Sequence, residues 1–302
     1  MLICDTHCDT LYTMAMHPEQ KNTDVTPERL KKGGVSLQTM AMFVGGSGKT
    51  EDIARAYEKM KAKIPVLENE WQLRRVRDPE EAREGETAFM LSIEGCDLLG
   101  GKQGLSVIGE WQEMGVRMAA LTWNYENAIG VPACIDQNAG LKKEGKEIVR
   151  LLLQAGIAID VSHLSRRGVF DLLDMGVKPL ASHSCCSALC DHPRNLTDEQ
   201  LKAIFQAGGY VGINFYPAFL KGEKADLSDV TRHALHMLEM GGEGKIGFGS
   251  DFDGIETKPK GLENPGDFPA LLDDLRRGGI SEECVKNMAG ENLLAYYRRC
   301  FD

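Results

Sequence analysis

The sequence has no long uninterrupted apolar segment and no excess of positive charge. Charged residues make up 26% of its 302 residues and the mean hydropathy is -0.27, which excludes a membrane-spanning class of protein. Lys and Arg number 35 against 45 Asp and Glu, so the net charge of -10 repels phosphate backbones and anionic lipid. There is no basic stripe with interleaved aromatic residues. We therefore expect neither a nucleic-acid nor a membrane partner.

Secretion signals and disulfide patterns are also lacking. The first residues, MLICDTHCDTLYT, have neither a basic region nor a long apolar region, so they do not resemble a secretory signal. None of the nine cysteines has the CxxC spacing of a structural zinc site. We expect reduced thiols, including the adjacent Cys185 and Cys186, in a cytoplasmic protein.

The chain has no low-complexity segment or Pro/Ser-rich linker, so we expect a single domain over residues 1–302. Short apolar runs alternate with stretches of helical periodicity, the pattern typical of βα units. Eight such runs occur, at 1–7, 35–44, 86–94, 117–123, 156–162, 178–183, 210–216 and 244–251. They predict an α/β fold of the closed (β/α)8 TIM-barrel type.

The helical patterns between these runs differ in strength from one segment to the next. A long amphipathic pattern follows Thr50 and continues to Val76, with a break or kink expected at Pro65. Thr197 and Gln200 have the spacing of a capping box at the start of a helix. The last helix, near residues 291–300, should pack at the foot or flank of the barrel.

Metal-binding residue types follow several runs at their C-terminal ends, where barrel enzymes place active sites. His7 and Asp9 are two residues apart, so both side chains emerge on one face of an extended segment. Glu94 ends the third run, and an inward-facing carboxylate there is costly unless a cation offsets its desolvation. His163 and His183 follow two neighbouring runs at corresponding points.

Each of these residues alone has an ordinary explanation, such as a solvated turn, a loop charge or a satisfied core histidine. Together they form a five-ligand set, divided as His7 with Asp9 and His163 with His183, with Glu94 shared. Mixed nitrogen and oxygen ligation of this kind suits zinc, with manganese or cobalt as substitutes.

Four further aspartates flank these positions. Asp251 and Asp253 follow the eighth run, and Asp251 is expected to point into the mouth of the site. Asp5 and Asp160 lie within strand ends, where they are expected to orient histidines as hydrogen-bond acceptors.

These residues lie in the motifs DTHCD, SIEG, GKEIVRLLLQAGIAIDVSHLS, SHSCCSALCDHPRNL, GINFY, GFGSDFDG and AGENLL. On these motifs the chain resembles the membrane dipeptidase (renal dipeptidase) family of zinc peptidases along essentially its whole length, as a soluble bacterial-type member. The resemblance implies two zinc ions bridged by Glu94 and bound by His7, Asp9, His163 and His183. It also implies that Arg194 binds the terminal carboxylate of the substrate and that Asp251 handles protons or the amine. A homodimer is suggested by the resemblance alone.

The implied reaction is hydrolysis of the peptide bond of dipeptides with a free C-terminal carboxylate. Two cations sharing a water would lower its pKa from about 15.7 toward roughly 7, giving a bridging hydroxide as the nucleophile. Asp251 would take the proton of the water and pass it to the leaving amine. The planar fork of Arg194 suits a carboxylate, although without the resemblance a surface ion pair is the simpler interpretation.

The sequence departs from the family at one point. Members commonly have a histidine in an LTH segment, where it is expected to stabilise the oxyanion, whereas this chain has LTW with Trp123. The Trp123 indole, Asn124 or Tyr125 would have to substitute in contacting the substrate. Loss of an oxyanion donor costs about 10²-fold to 10³-fold in rate.

Two rival functions remain at this point. Another metal-dependent amide, lactone or phosphoester hydrolase on the same barrel is one, and a metal-binding protein with little activity is the other. Arg194 favours a substrate carboxylate, and the retained Asp251 argues against lost activity.

Other motifs receive ordinary interpretations. FVGGSGKTEDI is not a phosphate-binding loop, because Phe43 stands where the motif requires glycine, and we expect a loop over the barrel mouth. The remaining histidines are expected in loops or helices, and His192, beside Arg194, is the one expected to approach substrate. They are His17, His192, His233 and His236.

Overall fold

Eight parallel strands form a closed barrel. The computed structural model describes residues 1–20, 22–100, 104–222 and 224–301. Its strands are Cys4–Asp5 (β1), Leu37–Phe43 (β2), Arg74–Arg75 (β3), Ala88–Glu94 (β4), Val116–Ala120 (β5), Ala158–Asp160 (β6), Leu180–Ser184 (β7), Tyr210–Ile213 (β8) and Ile246–Phe248 (β9). All except β3 form the ring, in the order β2-β1-β9-β8-β7-β6-β5-β4, and pairing of β2 with β4 closes it. β3 lies outside the ring and pairs with the start of β4. The predicted (β/α)8 TIM barrel is confirmed.

Helices connect the strands around the outside of the barrel. They are Thr10–Met16 (α1), Pro27–Gly33 (α2), Thr50–Lys61 (α3), Ile64–Asn69 (α4), Gly104–Met114 (α5), Lys143–Gln154 (α6), Arg166–Asp174 (α7), Asp198–Gln206 (α8), Pro217–Leu220 (α9), Leu227–Glu239 (α10), Phe268–Arg277 (α11), Glu282–Lys286 (α12) and Asn292–Phe301 (α13). Short 3-10 turns occur at Pro79–Glu81, Asp97–Leu99 and Pro265–Asp267, and the π-helical turn Asn287–Glu291 joins α12 to α13. Within the described ranges, no helix has both the length and the apolar character needed to cross a bilayer.

The helix predicted after Thr50 is divided in the structure. α3 ends at Lys61 and α4 begins at Ile64, so Pro65 lies in the first turn of α4. Backbone N–H groups in a first turn have no partner within the helix, so the missing N–H of proline costs no hydrogen bond there. The prediction of helix as far as Val76 is wrong at its C-terminal end. Residues of β3 pair with the start of β4 instead, and Val76 N donates to Phe89 O at 2.9 Å, because sheet pairing outweighs local helical propensity.

Two predicted helix features are confirmed. At the start of α8, Thr197 Oγ1 accepts a hydrogen bond from Gln200 N at 3.3 Å, and Gln200 Oε1 accepts one from Thr197 N at 3.0 Å. α13 covers the foot of the barrel, because Leu293 and Tyr296 pack with residues at the starts of the strands. Tyr296 Oη also donates to Lys178 O at 2.9 Å.

The barrel strands are parallel, so their C-terminal ends meet at the end opposite α13. Close packing there depends on glycine just after β9. A Cβ built on Gly249 would lie 1.7 Å from Ser182 O in β7, so no side chain fits at this position. The backbones of β7 and β9, which lie on either side of β8 in the ring, can therefore approach each other closely beneath the polar cluster described below.

We expect Gly249→Ala to lower the free energy of unfolding by about 3 kcal/mol, because the added methyl forces the β7 and β9 backbones apart. Gly109→Ala in α5 is the matched control. Nothing lies within 4 Å of its Cβ position, and we expect it to raise stability by about 0.5–1 kcal/mol through helix propensity. Urea unfolding measures both changes, and equal effects of the two substitutions would contradict the packing argument.

Candidate metal centre

Six histidine and carboxylate side chains gather at the C-terminal end of the barrel. They come from five different strands or the residues that follow them. His7 and Asp9 follow β1, Glu94 ends β4, His163 follows β6, His183 lies within β7 and Asp251 follows β9. All six are largely buried. The structure therefore brings together every residue predicted as a metal ligand, together with Asp251.

The carboxylate of Glu94 faces two separate groups of ligand atoms. Its Oε2 lies 3.7 Å from His7 Nε2, which is itself 3.3 Å from Asp9 Oδ2. Its Oε1 lies 3.0 Å from His163 Nε2 and 3.7 Å from His183 Nε2. Glu94 thus belongs to two three-residue sets, each of which offers one nitrogen or more beside oxygen, and a third set, His7, His183 and Asp251, overlaps both.

The nitrogen atoms in this cluster have the arrangement that a cation requires. Asn124 Oδ1 accepts a hydrogen bond from His163 Nδ1 at 2.9 Å, and Ser182 Oγ, which donates its own proton to Asp160, accepts one from His183 Nδ1 at 2.7 Å. Both rings are then protonated on Nδ1, and their unprotonated Nε2 atoms face each other at 3.1 Å. Two facing lone pairs repel unless a cation lies between them and Glu94, so these residues fit a bound metal.

His7 gives a second indication of a cation site. Its Nε2 is buried without a hydrogen-bond partner among the described residues. Burial opposes protonation of the ring, but the carboxylates of Glu94 and Asp9 outweigh this and raise the pKa of His7 to about 10. The negative potential that holds a proton here would equally stabilise a divalent ion.

Burial dominates the other pKa shifts. Burial and the charge of Asp9 raise the pKa of Glu94 well above its usual value, and burial raises the pKa of Asp251 to about 6. Burial lowers the pKa values of His163 and His183 well below their usual value. Neutral imidazoles are the form that binds metals.

Two site residues adopt the left-handed backbone conformation that normally favours glycine. His163 has φ of 70° and Asp251 has φ of 66°. Such conformations cost on the order of 1–3 kcal/mol and occur preferentially at functional sites. Backbone bonds hold both residues, since Ala133 N donates to His163 O at 2.8 Å and Asp251 N donates to His7 O at 3.1 Å.

The two predicted orienting aspartates differ from each other. Asp160 reaches a histidine indirectly, because it accepts from the hydroxyl of Ser182. Asp5 accepts no hydrogen bond from an imidazole of the described residues. It accepts from Ser250 N at 2.8 Å, Gln38 Nε2 at 2.9 Å and the backbone N of His7 at 3.3 Å, so the predicted contact with a histidine ring is wrong because these donors occupy its oxygens.

Arg194 lies behind this cluster as a buried cation. Its side chain is 5% exposed, Nη2 donates to His183 O at 3.4 Å, and the guanidinium carbon lies 5.4 Å from the Phe219 ring centroid. No carboxylate oxygen of the described residues lies within ion-pairing distance of it, and Nε has no partner. A buried guanidinium without a counter-ion is a site for an anion. His192 contacts Phe219 at 4.5 Å between ring centroids, beside Arg194.

A cavity of about 920 Å³ opens onto the cluster. Its lining includes Asp9, Glu94, His163 and Asp251 from the cluster, together with Tyr12, Phe43, Trp123, Asn124, Tyr216 and Phe219. Neither Arg194 nor His192 lines it directly. Tyr125 is 42% exposed and packs against Trp123, with 5.7 Å between ring centroids, outside the lining.

The other histidines mostly have structural roles. His233 Nδ1 accepts from Cys186 N at 3.0 Å, and its Nε2 donates to Leu220 O at 2.9 Å. His236 contacts Asp198 at 2.7 Å. His17 lies in the cavity lining, which its loop position did not predict.

Sequence reasoning missed two residues that hold the cluster in place. Ser182 orients His183, as described above, and Asn214 Nδ2 donates to Asp251 Oδ2 at 2.9 Å. Both lie in motifs that the sequence analysis noted, SHS and GINFY. Only their strand-end position, next to a residue predicted to be functional, could have indicated these roles.

A closed parallel barrel with buried histidines and carboxylates at its C-terminal end defines a barrel protein with a candidate metal centre. The model of the membrane dipeptidase family, peptidase family M19, matches residues 1–299. The chain therefore belongs to this family. Family membership and the donor set together support a metal cofactor.

Individual relatives agree with this assignment. An uncharacterized dipeptidase of Schizosaccharomyces pombe is 35% identical over 220 residues, covering 70% of this chain and 53% of that protein. The dipeptidase aclJ of Aspergillus oryzae is 34% identical over 218 residues, covering 70% and 51%. The chain thus spans about half the length of these curated relatives. A metallopeptidase from Rhodobacter sphaeroides, solved with a phosphinate mimic of L-Ala-D-Ala, has a TM-score of 0.91 at 23% identity, covers 100% of this chain and 99% of its own, and shows the same fold.

We expect Ser182→Ala to weaken metal binding by about 10-fold to 100-fold, because the ring of His183 loses the acceptor that fixes its Nδ1 proton. Competition with a chelating dye measures the affinity. Ser184→Ala, in the same strand, is the control, since its buried hydroxyl has no hydrogen-bond partner among the described residues. Equal affinities of the two variants would contradict this role of Ser182.

Proposed function

We propose that the chain, as one catalytic domain over residues 1–302, is a dipeptidase that uses two zinc ions. Its substrates are dipeptides with a free C-terminal carboxylate. The observation that carries the proposal is the carboxylate of Glu94, whose two oxygens face separate sets of ligands. Membership of the membrane dipeptidase family and the similarity to dipeptidases of other organisms support it.

In this proposal His7 and Asp9 bind one ion, and His163 and His183 bind the other. Glu94 bridges the two. Nitrogen and oxygen donors in these numbers suit zinc, and manganese or cobalt would be accepted in its place. When bound, the ions would lower the pKa of a shared water and polarise the scissile carbonyl group.

Asp251 is the proposed proton carrier. It lies at the mouth of the cluster, 3.7 Å from His7 Nε2, and Asn214 fixes one of its oxygens. The other oxygen, Oδ1, faces the ligands, so it can accept a proton from the attacking water and release it to the leaving amine. Burial raises the pKa of Asp251 to about 6, which suits a group that both takes and returns a proton near neutral pH.

Arg194 is the proposed anchor for the terminal carboxylate. A buried guanidinium without a counter-ion is stabilised when an anion arrives, and its planar fork matches a carboxylate. Because Arg194 lies behind the surface of the cavity, the carboxylate would enter beside Phe219 to reach it. Anchoring at one fixed distance from the cluster favours dipeptides over longer chains.

The oxyanion donor of the proposed site is sought among the residues that follow β5. Trp123 and Asn124 line the cavity, and Tyr125 packs against Trp123 with the rings tilted by 42°. The Asn124 carbonyl oxygen accepts from His163, which leaves its amide NH₂ group as a donor for substrate. We propose Asn124 as the group that acts in place of the histidine common in the family.

The function is tested with purified protein, analysed for metal and supplied with zinc, on a panel of L,L and L,D dipeptides, an aryl ester, a lactone and a phosphotriester. We expect dipeptide cleavage that is lost together with one metal equivalent in His163→Ala, because that variant removes a ligand. His236→Ala, which alters a histidine outside the cluster, is the control. Cleavage of the ester, the lactone or the phosphotriester without any dipeptide would overturn the proposal.

Arg194→Ala should raise KM for dipeptides by about 10-fold to 100-fold with a smaller change in kcat, because the lost contact is a charge-assisted hydrogen bond made before and during reaction. Dipeptide amides, which lack the terminal carboxylate, should be affected much less. Steady-state kinetics on the paired substrates measures the difference. An unchanged KM for free dipeptides would count against the anchor.

A further inference from the structure

One side of the cavity is a continuous run of aromatic rings, which we call the aromatic wall and define as Tyr12, Phe43 and Trp123. Tyr12 and Phe43 meet edge to face with 5.2 Å between ring centroids, and Phe43 and Trp123 do the same at 4.9 Å. The Trp123 ring then lies 6.2 Å from that of His163. All three residues line the cavity. The aromatic wall therefore extends from the rim of the cavity to a ligand of the proposed metal centre.

Two glycines hold Trp123 in this position. A Cβ on Gly45 would lie 2.6 Å from Trp123 Cβ, so the indole packs directly on backbone. Gly95, which has φ of +80°, would place a Cβ 2.7 Å from Gly45 Cα. The loops after β2 and β4 can thus approach each other only because both positions lack side chains. Trp123 packs on the backbone of Gly45 and against the ring of Phe43, so a substrate would meet a preformed surface.

The middle of the aromatic wall lies across the barrel from Arg194, because Phe43 ends β2 and Arg194 follows β7, four positions away in either direction around the ring. Tyr12 and Trp123 follow β1 and β5, which are three and two positions from β7. A dipeptide whose carboxylate reaches Arg194 and whose peptide bond lies over the ligands would extend its first residue toward the opposite side. The residue that faces the aromatic wall is therefore the one on the amino side of the scissile bond.

We infer that the aromatic wall is the recognition site for the side chain of the first residue of the substrate, with Trp123 as the specificity-determining residue. The inference rests on the proposed dipeptidase function. Three adjoining rings offer apolar area and no charged partner, so they favour aliphatic and aromatic side chains over acidic or basic ones. Charged lining residues such as Asp24, Glu256 and Lys258 come from the loops after α1 and β9 instead.

The test is a series of X-Ala dipeptides, with X as Gly, Leu, Phe, Asp and Lys, assayed on the zinc-loaded protein. We expect kcat/KM for Leu-Ala and Phe-Ala to exceed that for Gly-Ala by about 10-fold to 100-fold. Trp123→Ala should remove most of this difference, and Trp123→Phe should keep part of it. An Ala-X series should respond little to either variant.

Ile135→Ala is the matched control, because Ile135 is an exposed apolar residue on the same connection between β5 and α6 but outside the cavity lining. Circular dichroism and metal content establish that the variants fold. If Trp123→Ala does not fold, Trp123→Phe, which keeps an aromatic ring, takes its place in the comparison. An X-Ala series without dependence on X, or with the same dependence in Trp123→Ala, would overturn the inference while leaving the dipeptidase proposal intact.

A second readout does not depend on turnover. Inhibition or direct binding is measured for two phosphinate dipeptide mimics that differ only in having Gly-like or Leu-like first side chains. We expect tighter binding of the Leu-like mimic by about 10-fold to 100-fold in the wild type and by much less in Trp123→Ala. If no dipeptide is cleaved, the proposed function fails, and this ratio still decides whether the aromatic wall selects the side chain. A ratio near one overturns the inference.

Discussion

The carboxylate of Glu94 joins the two halves of the candidate metal centre. It is the last residue of a fully buried strand, and its two oxygens lie near histidines that come from opposite sides of the barrel. An unpaired carboxylate at this depth is strongly disfavoured, as its raised pKa shows. The facing lone pairs of His163 and His183 are disfavoured for the same reason. A bound metal cofactor would remove both penalties, so ligand geometry, the proposed chemistry and the folding energy of this region are connected.

Backbone groups and uncharged hydrogen-bond partners stabilise this concentration of charged and ionisable side chains. The neutral oxygens of Asn124 and Ser182 orient the imidazoles of His163 and His183 by accepting hydrogen bonds from them. Asn214 orients Asp251 by donating a hydrogen bond to it. His163 and Asp251 are held in left-handed backbone conformations by hydrogen bonds to neighbouring loops. Such support allows strained and charged groups to persist at the ends of strands that are otherwise apolar.

The residues proposed for recognition and those proposed for reaction lie in different parts of the same barrel end. Arg194 and Phe219 lie after β7 and β8, the aromatic wall lies after β1, β2 and β5, and the ligands lie between them. A small molecule with a carboxylate at one end and an apolar group at the other fits this arrangement. The presence of Trp123 where the family resemblance implies histidine then has a physical meaning under this proposal, because an indole offers more apolar contact area than an imidazole.

The alternation of apolar runs and helical stretches by itself determined the barrel and the strand ends that carry the ligands, because both depend on local periodicity. It could not determine that the segment after Asn69 pairs as β3, that Asp5 binds Ser250 rather than an imidazole, or that Ser182 orients His183. These outcomes depend on which residues the register of neighbouring strands places side by side. The aromatic wall likewise exists only in the folded chain, since its rings come from three separate connections that meet when the barrel closes. Local sequence sets the direction and length of each strand, whereas only closure of the ring sets the distances between their ends.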